Sequence, residues 1–570
     1  LDLLDQLTFG LTEKNFQTKK LSFRQGKSVD PRLVQHLVLC VGRGGDAKVS
    51  KWLSQVLEPW HFEKQKTKSI QRIVWDDGVI TVLRTSLAES EEDSNPHSVL
   101  RPSVEAKCRD LVGGFLRNED NLTEENIIFG FLGCDEHETA GALLGVGVAA
   151  YKYKDATRGS DSKFVNWKIL NVLGFEKIKT LKSDGRPLRS VAAILATVRL
   201  PAVSSQVVKA SLSKIRSVNL ARHLANMPAA DLGTVAYSNL ILRMFNHRKN
   251  VQVEVLNDET LLKKGFGLLH AVGAGSVDGS RLVHIRYRPK GSLKKAPVAY
   301  VGKGVVFDTG GLDIKPSSGM RLMKKDMAGS AVILGLADFV TTSNGKIPCD
   351  FYLPIAENSV SAKSMRPGDV FVARNGMQVE IDNTDAEGRL ILADAIVYAL
   401  EDSAKRLEND ERGFVCAKTK GISLKSAKDI QSKLPAPSVA PRALIDAATL
   451  TGAMRVAVGA SIAGYMCNNS RLKREFEDSA QLAGEPVWQL PIVKKYFKQL
   501  RSPFADFKNS SDGGMGGAIV AGMFLEKFVG QVPWLHLDFM GWNSGAEGAY
   551  CEGANAQGLC GLMAHYVSMK

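Results

Sequence analysis

No stretch of the 570-residue chain holds the about 18 consecutive apolar residues that a membrane-spanning helix needs. The nearest approach, AGALLGVGVAAY (Ala140 to Tyr151), is shorter, rich in small residues and flanked by Glu138 and Lys152, and it reads as a buried helix. There is no CxxC pair. The eight cysteines (Cys40, Cys108, Cys134, Cys349, Cys416, Cys467, Cys551 and Cys560) are scattered, which argues against a zinc ribbon or a disulfide framework and points to a reducing, cytoplasmic setting. HExxH is missing, which disfavours a single-zinc protease. GRGGD (Gly42 to Asp46) follows a strand-like run but lacks GxGxxG spacing, so its hint of phosphate binding is weak. The chain opens on Leu1 rather than Met, so a missing targeting segment excludes nothing.

What is present suits a globular protein. The hydrophobic fraction is 44%, and the length exceeds that of one ordinary core, so two domains are the default. Lys and Arg total 74 against 60 Asp and Glu, a formal net charge of +14. Such an excess can mark a nucleic-acid partner, but the lysines are spread along the chain without a nucleic-acid-binding motif, and a basic enzyme is the plainer reading.

The first part alternates strand-like and helix-like segments. HLVLCVG (His36 to Gly42) and NIIFGFLG (Asn126 to Gly133) have strand length, and RIVWDDGVITVL (Arg72 to Leu83) reads as a hairpin turning at DDG. CDEHET (Cys134 to Thr139) has metal-capable side chains, yet its place before a helix favours amino-terminal capping. A break near RLPAVSSQ (Arg199 to Gln206) sets a domain boundary at about residue 205, giving an amino-terminal α/β domain, residues 1–205, and a second α/β domain, residues 206–570, with a mainly parallel mixed sheet. Residues 403–442, rich in Lys and Arg and holding LPAPSVAP, read as a flexible surface insertion.

In the second domain several loops carry charge. VGKGVVFDTGGLDIKP supplies Lys303, Asp308 and Lys315, MRLMKKDMAGSA supplies Asp326 at a helix start, and NTDAEGRL supplies Asp385, Glu387 and Arg389 at every second position. On an extended segment such residues point the same way, whereas on a helix they splay. Sites in open α/β sheets gather outside the carboxyl ends of the strands. Four carboxylates meeting there raise one another's pKa unless positive charge compensates them. Two divalent cations would do so and would activate a shared water for hydrolysis. Charge counting leaves a second explanation open, in which Asp308, Asp326, Asp385 and Glu387 simply pair with Lys303, Lys315, Arg389 and their neighbours.

These three segments together resemble the signature of the leucyl aminopeptidase family of dinuclear metallopeptidases, the M17 type. DAATLTGA (Asp446 to Ala453), FADFKNS with GGAIVAGMFLEKFV, and WLHLDFMG (Trp534 to Gly541) are also similar to it, so the resemblance spans residues 209–545. The amino-terminal domain resembles the family's variable, macro-like domain only in size and strand-helix character. The resemblance implies that Asp308 and Glu387 bridge two metals, that Lys303 and Asp326 complete the tighter site, and that Asp385 completes the more exchangeable one. Lys315 would polarise the scissile carbonyl, and Arg389 would hold a bicarbonate that serves as general base. A lysine ligand must be a neutral amine. Met323, Asn383, Thr449, Leu450 and Gly452 match substrate-pocket positions, with core packing as the plainer reading of Met323 and Leu450. After Gly541, and across 403–442, the sequence departs from the family pattern.

The expectation is therefore a zinc- or manganese-dependent aminopeptidase that releases leucine-like residues from short peptides, in a hexamer built as a dimer of trimers. The alternatives are a nucleic-acid-binding protein on the same scaffold and a two-metal phosphoesterase, which explains neither a lysine ligand nor DAATLTGA.

Overall fold

The structure is a computed structural model. It describes residues 36–42, 46–56, 68–75, 78–85, 102–118, 127–149, 151, 172–174, 182–183, 186–187, 205–292, 296–410, 441–511 and 514–569. The chain divides into two compact units. One comprises Leu1–Asn219 with Gln481–Gly484 and Asn543–Glu552, and the other Leu220–Ala480, Glu485–Trp542 and Gly553–Lys570.

In the first unit, β1 (His36–Val41) is followed by α1 (Asp46–Val56), the hairpin β2 (Ile70–Trp75) and β3 (Gly78–Arg84), and α2 (Val104–Asn118). Then come β4 (Ile127–Leu132), α3 (Glu136–Ala149), β5 (Val172–Gly174) and the short pair β6 (Lys182–Ser183) and β7 (Arg186–Pro187). Five strands form one sheet in the order β2-β3-β1-β4-β5. It is parallel except at the β2–β3 hairpin, where Trp75 faces Gly78 across the predicted turn. Val38, Leu83, Phe131, Leu143 and Val146 join Val112 and Phe115 in its core. The small residues of α3 have a steric purpose. A Cβ on Gly141 would lie 2.1 Å from the Glu105 carbonyl oxygen, and one on Gly145 would lie 2.3 Å from that of Arg109. α3 thus packs directly on the α2 backbone. CDEHET caps this helix, since Glu138 N donates to Asp135 Oδ1 (2.8 Å) and Asp135 N to Glu138 Oε2 (2.9 Å).

α4 (Ser205–Asn226) leads from the first unit into the second. There a large mixed sheet is built from β8 (Val251–Leu256), β9 (Arg281–Tyr287), β10 (Val298–Gly302), β11 (Gly304–Asp308), β12 (Cys349–Asn358), β15 (Ala443–Ala448), β16 (Ala463–Cys467), β17 (Val487–Gln489) and β19 (Trp534–Asp538). A small sheet holds β13 (Val370–Val372), β14 (Gln378–Glu380) and β18 (Phe507–Lys508). The large sheet runs β17-β16-β19-β15-β10-β12-β9-β8, with β11 also on β12. Its centre, β19-β15-β10-β12, is parallel, while β9 and β16 run antiparallel to their inner neighbours. Strands buried on both faces read as continuous apolar runs, as Val298–Gly302 does.

Two helices flank the central strands. α5 (Ala328–Thr342) is buried from Ala328 to Val340. α6 (Gly388–Asp410) buries Leu390, Ala393, Ile396, Val397 and Leu400. The helix continues to Asp410, so the opening of the expected 403–442 insertion is regular helix. Residues 411–440 lie outside the described residues, as do 43–45 of GRGGD. None of the described cysteines forms a disulfide.

Candidate metal centre

Parallel strands put their carboxyl ends at one edge of a sheet, and several of this unit's end in polar loops there. β10 ends at Gly302 and delivers Lys303, β11 ends on Asp308, β15 runs into Thr449, and β19 ends on Asp538. After Asp308 the chain doubles back through Gly310 and Gly311, whose φ values of +87° and +67° are left-handed. Lys315 N donates to Thr309 O (2.9 Å), and the Lys315 side chain is thereby turned back toward Asp308.

The site residues converge. Lys303 Nζ lies 2.7 Å from Asp326 Oδ2 and 3.0 Å from Glu387 Oε1, and it donates to Thr449 O at 3.1 Å. Lys315 Nζ lies 2.8 Å from Asp308 Oδ2 and also pairs with Asp385. Carboxylate oxygens of Asp308, Asp385 and Glu387 fall within 4.8 Å of one another. Lys303, Asp308, Asp326 and Glu387 are almost fully buried, while the Asp385 side chain keeps 33% of its surface exposed.

NTDAEGRL reaches this arrangement by a different backbone from the extended one expected. Asn383 to Ala386 form a turn, closed by Ala386 N donating to Asn383 O (3.2 Å), and Gly388 already belongs to α6. Asn383 Oδ1 accepts from Asp385 N (2.7 Å), an Asx turn that fixes the turn's start. Asp385 and Glu387 converge because one sits on the turn and the other just before the helix. Arg389 lies on the first helical turn, with Glu387 as its main charge neighbour, and its Nη1 donates to Asn509 O (2.7 Å).

The electrostatics are unbalanced. Burial pushes Glu387 up to about 8 and Asp385 up to about 6, with Asp308 adding to both. Burial works against the charge on Lys303 and Lys315, yet neighbouring carboxylates (Asp326 and Glu387 for the first, Asp308 and Glu387 for the second) overcome it and raise both amines. Two lysines still face four carboxylates, and Glu387 Oε2 is buried without a hydrogen-bond partner. An orphaned carboxylate oxygen inside an acidic cluster is what a dication site presents when its ions are left out of account. The other group of metal-capable side chains among the described residues, His284, Asp350 and Asp402, differs. There Arg288 Nη2 contacts both Asp350 oxygens at 2.9 Å and Arg286 contacts Asp402 at 3.3 Å, which is ordinary ion pairing.

The remaining expected residues lie around this cluster. Met323 is half-buried on the short 3-10 turn Met323–Met327, which also bears Asp326. Gly452 opens α7 (Gly452–Val458), and a Cβ there would meet nothing within 4 Å, so the space beside it is free. Leu450 is partly buried against the main core. Two backbone groups of this loop are already engaged: Thr449 O accepts from Lys303, and Leu450 N donates to Asp538 Oδ1 (2.8 Å). The Thr449 hydroxyl donates to Asp326 Oδ1 (2.8 Å), so that side chain holds a cluster carboxylate.

Sequence reasoning left out a supporting layer. Asn358 Nδ2 donates to Asp308 Oδ1 (2.8 Å) and Thr384 O (3.1 Å). Asp313 Oδ2 accepts from Thr384 N (2.7 Å). Asp538 Oδ2 accepts from the Thr451 hydroxyl (2.7 Å), which also caps α7 through Met454 N. All four lie in or near the conspicuous motifs, but their partners are distant in sequence and leave no spacing signal.

Comparison with known proteins follows the same lines. Residues 219–409 and 433–563 match the sequence model of the cytosol aminopeptidase family, catalytic domain. A probable cytosol aminopeptidase of Brucella anthropi is 35% identical over 437 residues, 76% of this chain and 78% of that protein. One from Nostoc punctiforme is 36% identical over 370 residues, 64% of this chain and 67% of its own length. Among solved structures, a cytosol aminopeptidase from Coxiella burnetii superposes with a TM-score of 0.68 at 24% identity, covering 96% of this chain and 98% of its own. The bottromycin maturation enzyme BotP in complex with Mn gives 0.69 at 23% identity, covering 93% and 98%. These structural likenesses establish the two-domain α/β fold. With the sequence matches, they establish that the chain is a hydrolase belonging to the cytosol aminopeptidase family of metal-dependent peptidases.

Proposed function

We propose that the protein removes the amino-terminal residue, leucine-like by preference, from short peptides, and that Lys303, Asp308, Asp326, Asp385 and Glu387 hold two divalent cations, zinc or manganese. The observation that supports this most directly is the convergence of those five side chains with more negative than positive charge and an orphaned Glu387 oxygen. When bound, the cations supply Lewis acidity and lower the pKa of a water toward neutrality.

The chain's own groups do the rest. Lys315 remains an ammonium, raised by Asp308 and Glu387 against burial, and it can donate to the carbonyl oxygen as negative charge develops there. Lys303 can serve as a ligand only as a neutral amine, and cations in place of its proton supply the charge its carboxylate partners require. Arg389 is buried and its Nε has no hydrogen-bond partner, which suits a small anion such as bicarbonate. Met323, Asn383, Thr449, Leu450 and Gly452 border the place for the first side chain, and a Cβ on Gly452 would meet nothing within 4 Å. BotP in complex with Mn lends manganese some weight here. We place the enzyme in the cytoplasm as a hexamer.

The test is removal and return of metal. Chelated protein should lose hydrolysis of leucyl amides and recover it with Mn²⁺ or Zn²⁺, and Asp385→Asn or Glu387→Gln should lower turnover by about a hundredfold or more. Full activity in chelated protein would overturn the assignment.

A further inference from the structure

Asn509 has no accessible surface and lies just beyond β18, more than a hundred residues from NTDAEGRL. The register of the small sheet brings it there. β18 runs parallel to β14 with Val379 beside Phe507 and Glu380 beside Lys508, and Asn509 N donates to Glu380 O (2.9 Å). The Asn509 side chain then spends its whole hydrogen-bonding capacity on the turn that follows. Oδ1 accepts from Asp382 N (2.8 Å) and Asn383 N (3.2 Å), while Nδ2 donates to Asn383 O (2.7 Å) and Ala386 O (3.3 Å). Its carbonyl accepts from Arg389 Nη1 (2.7 Å).

We infer that Asn509 is a positioning residue that sets the Asp385–Glu387 turn and the Arg389 guanidinium in one register. The inference rests on the metallopeptidase reading above. The amide is chemically specific to this task. A short side chain must accept two N–H bonds on one side and donate two on the other, which only a primary amide does. Aspartate keeps the acceptors, loses both donors and adds charge beside an acidic cluster. Alanine loses all four bonds. The division of labour is also specific: the side chain holds the carboxylate turn and the backbone holds Arg389. Side-chain substitutions therefore loosen metal binding while leaving the Arg389 contact in place.

The test uses the full chain, stripped of metal and titrated with Mn²⁺ by calorimetry, alongside thermal melts and steady-state kinetics. Asn509→Ala and Asn509→Asp should lower affinity for the weaker ion by about 10- to 100-fold, as substitutions supporting metal ligands do. Saturating Mn²⁺ should largely restore kcat in Asn509→Ala. Asn509→Ser, which retains one donor and one acceptor site, should fall between alanine and the wild type and serves if alanine prevents folding. Asn468→Ala is the control. Asn468 makes comparable backbone bonds, to Val532 O (2.9 Å) and from Trp534 N (2.7 Å), without touching the turn, so its loss should lower melting temperature but not ion affinity. Wild-type affinity for both ions in Asn509→Ala overturns the role of Asn509 alone. A wild-type chain that takes up no ion overturns the metallopeptidase reading and this role with it.

Discussion

Single residues decide how tightly the acidic cluster is drawn together, and Gly388 is the clearest case. A Cβ there would lie 2.4 Å from Lys303 Cε and 2.7 Å from its Nζ. The obstructing atoms are the free end of a flexible side chain, so the fold can yield while the amine cannot stay where it is. Gly388→Ala should therefore leave stability within about 1 kcal/mol of wild type but lower ion affinity by about tenfold or more; denaturant melts and metal titration separate the two effects. Proton linkage gives a second prediction. In metal-stripped protein, Glu387 is raised to about 8 and Asp385 to about 6, above their unfolded values, so the folded state holds the extra protons. Their contribution to stability is complete below about pH 4 and is lost as pH climbs through 6 and 8. On the proposed assignment, bound cations replace those protons. The melting-temperature gap between loaded and stripped protein should widen from pH 6 to pH 9, and a constant gap would contradict it. The acidic residues that converge in the cluster stand out in the sequence because they are charged residues in strand-end loops. Asn358, Asn509 and Asp538 were not, because their main partners are backbone atoms or carboxylates far along the chain.

At the scale of elements, apolar runs and turn residues marked strands and helices well. HLVLCVG, NIIFGFLG, the DDG hairpin and the small-residue helix of AGALLGVGVAAY all lie where their patterns put them. The backbone of NTDAEGRL was less legible. Alternating charges suggested an extended segment, but the Asx turn at Asn383 and the helix start at Gly388 are local preferences that override that pattern. CDEHET posed the opposite choice, between metal ligation and capping, and the reciprocal bonds of Asp135 and Glu138 show capping. Asp135→Ala should cost about 1 kcal/mol of stability, leaving leucyl-amide turnover unchanged when measured beside the melt.

The whole molecule carries a net charge of +14, and no charge count tells a basic enzyme from a nucleic-acid binder. The two differ in their salt response. Phosphate contacts weaken steeply as salt rises, so filter binding to duplex DNA from 50 to 200 mM salt, at roughly the range where such contacts fade, should show only weak, non-specific retention. Topology was the part least visible in the sequence, since which strands become neighbours depends on packing across the entire unit. β19 comes late in the chain yet lies between β15 and β16 in the middle of the sheet, and its last residue, Asp538, anchors the loop after β15. On the ribosome, the nascent polypeptide must therefore wait for its final strand before the sheet can close. The loop after β15 thus receives its Asp538 anchor only once nearly the whole chain has been made.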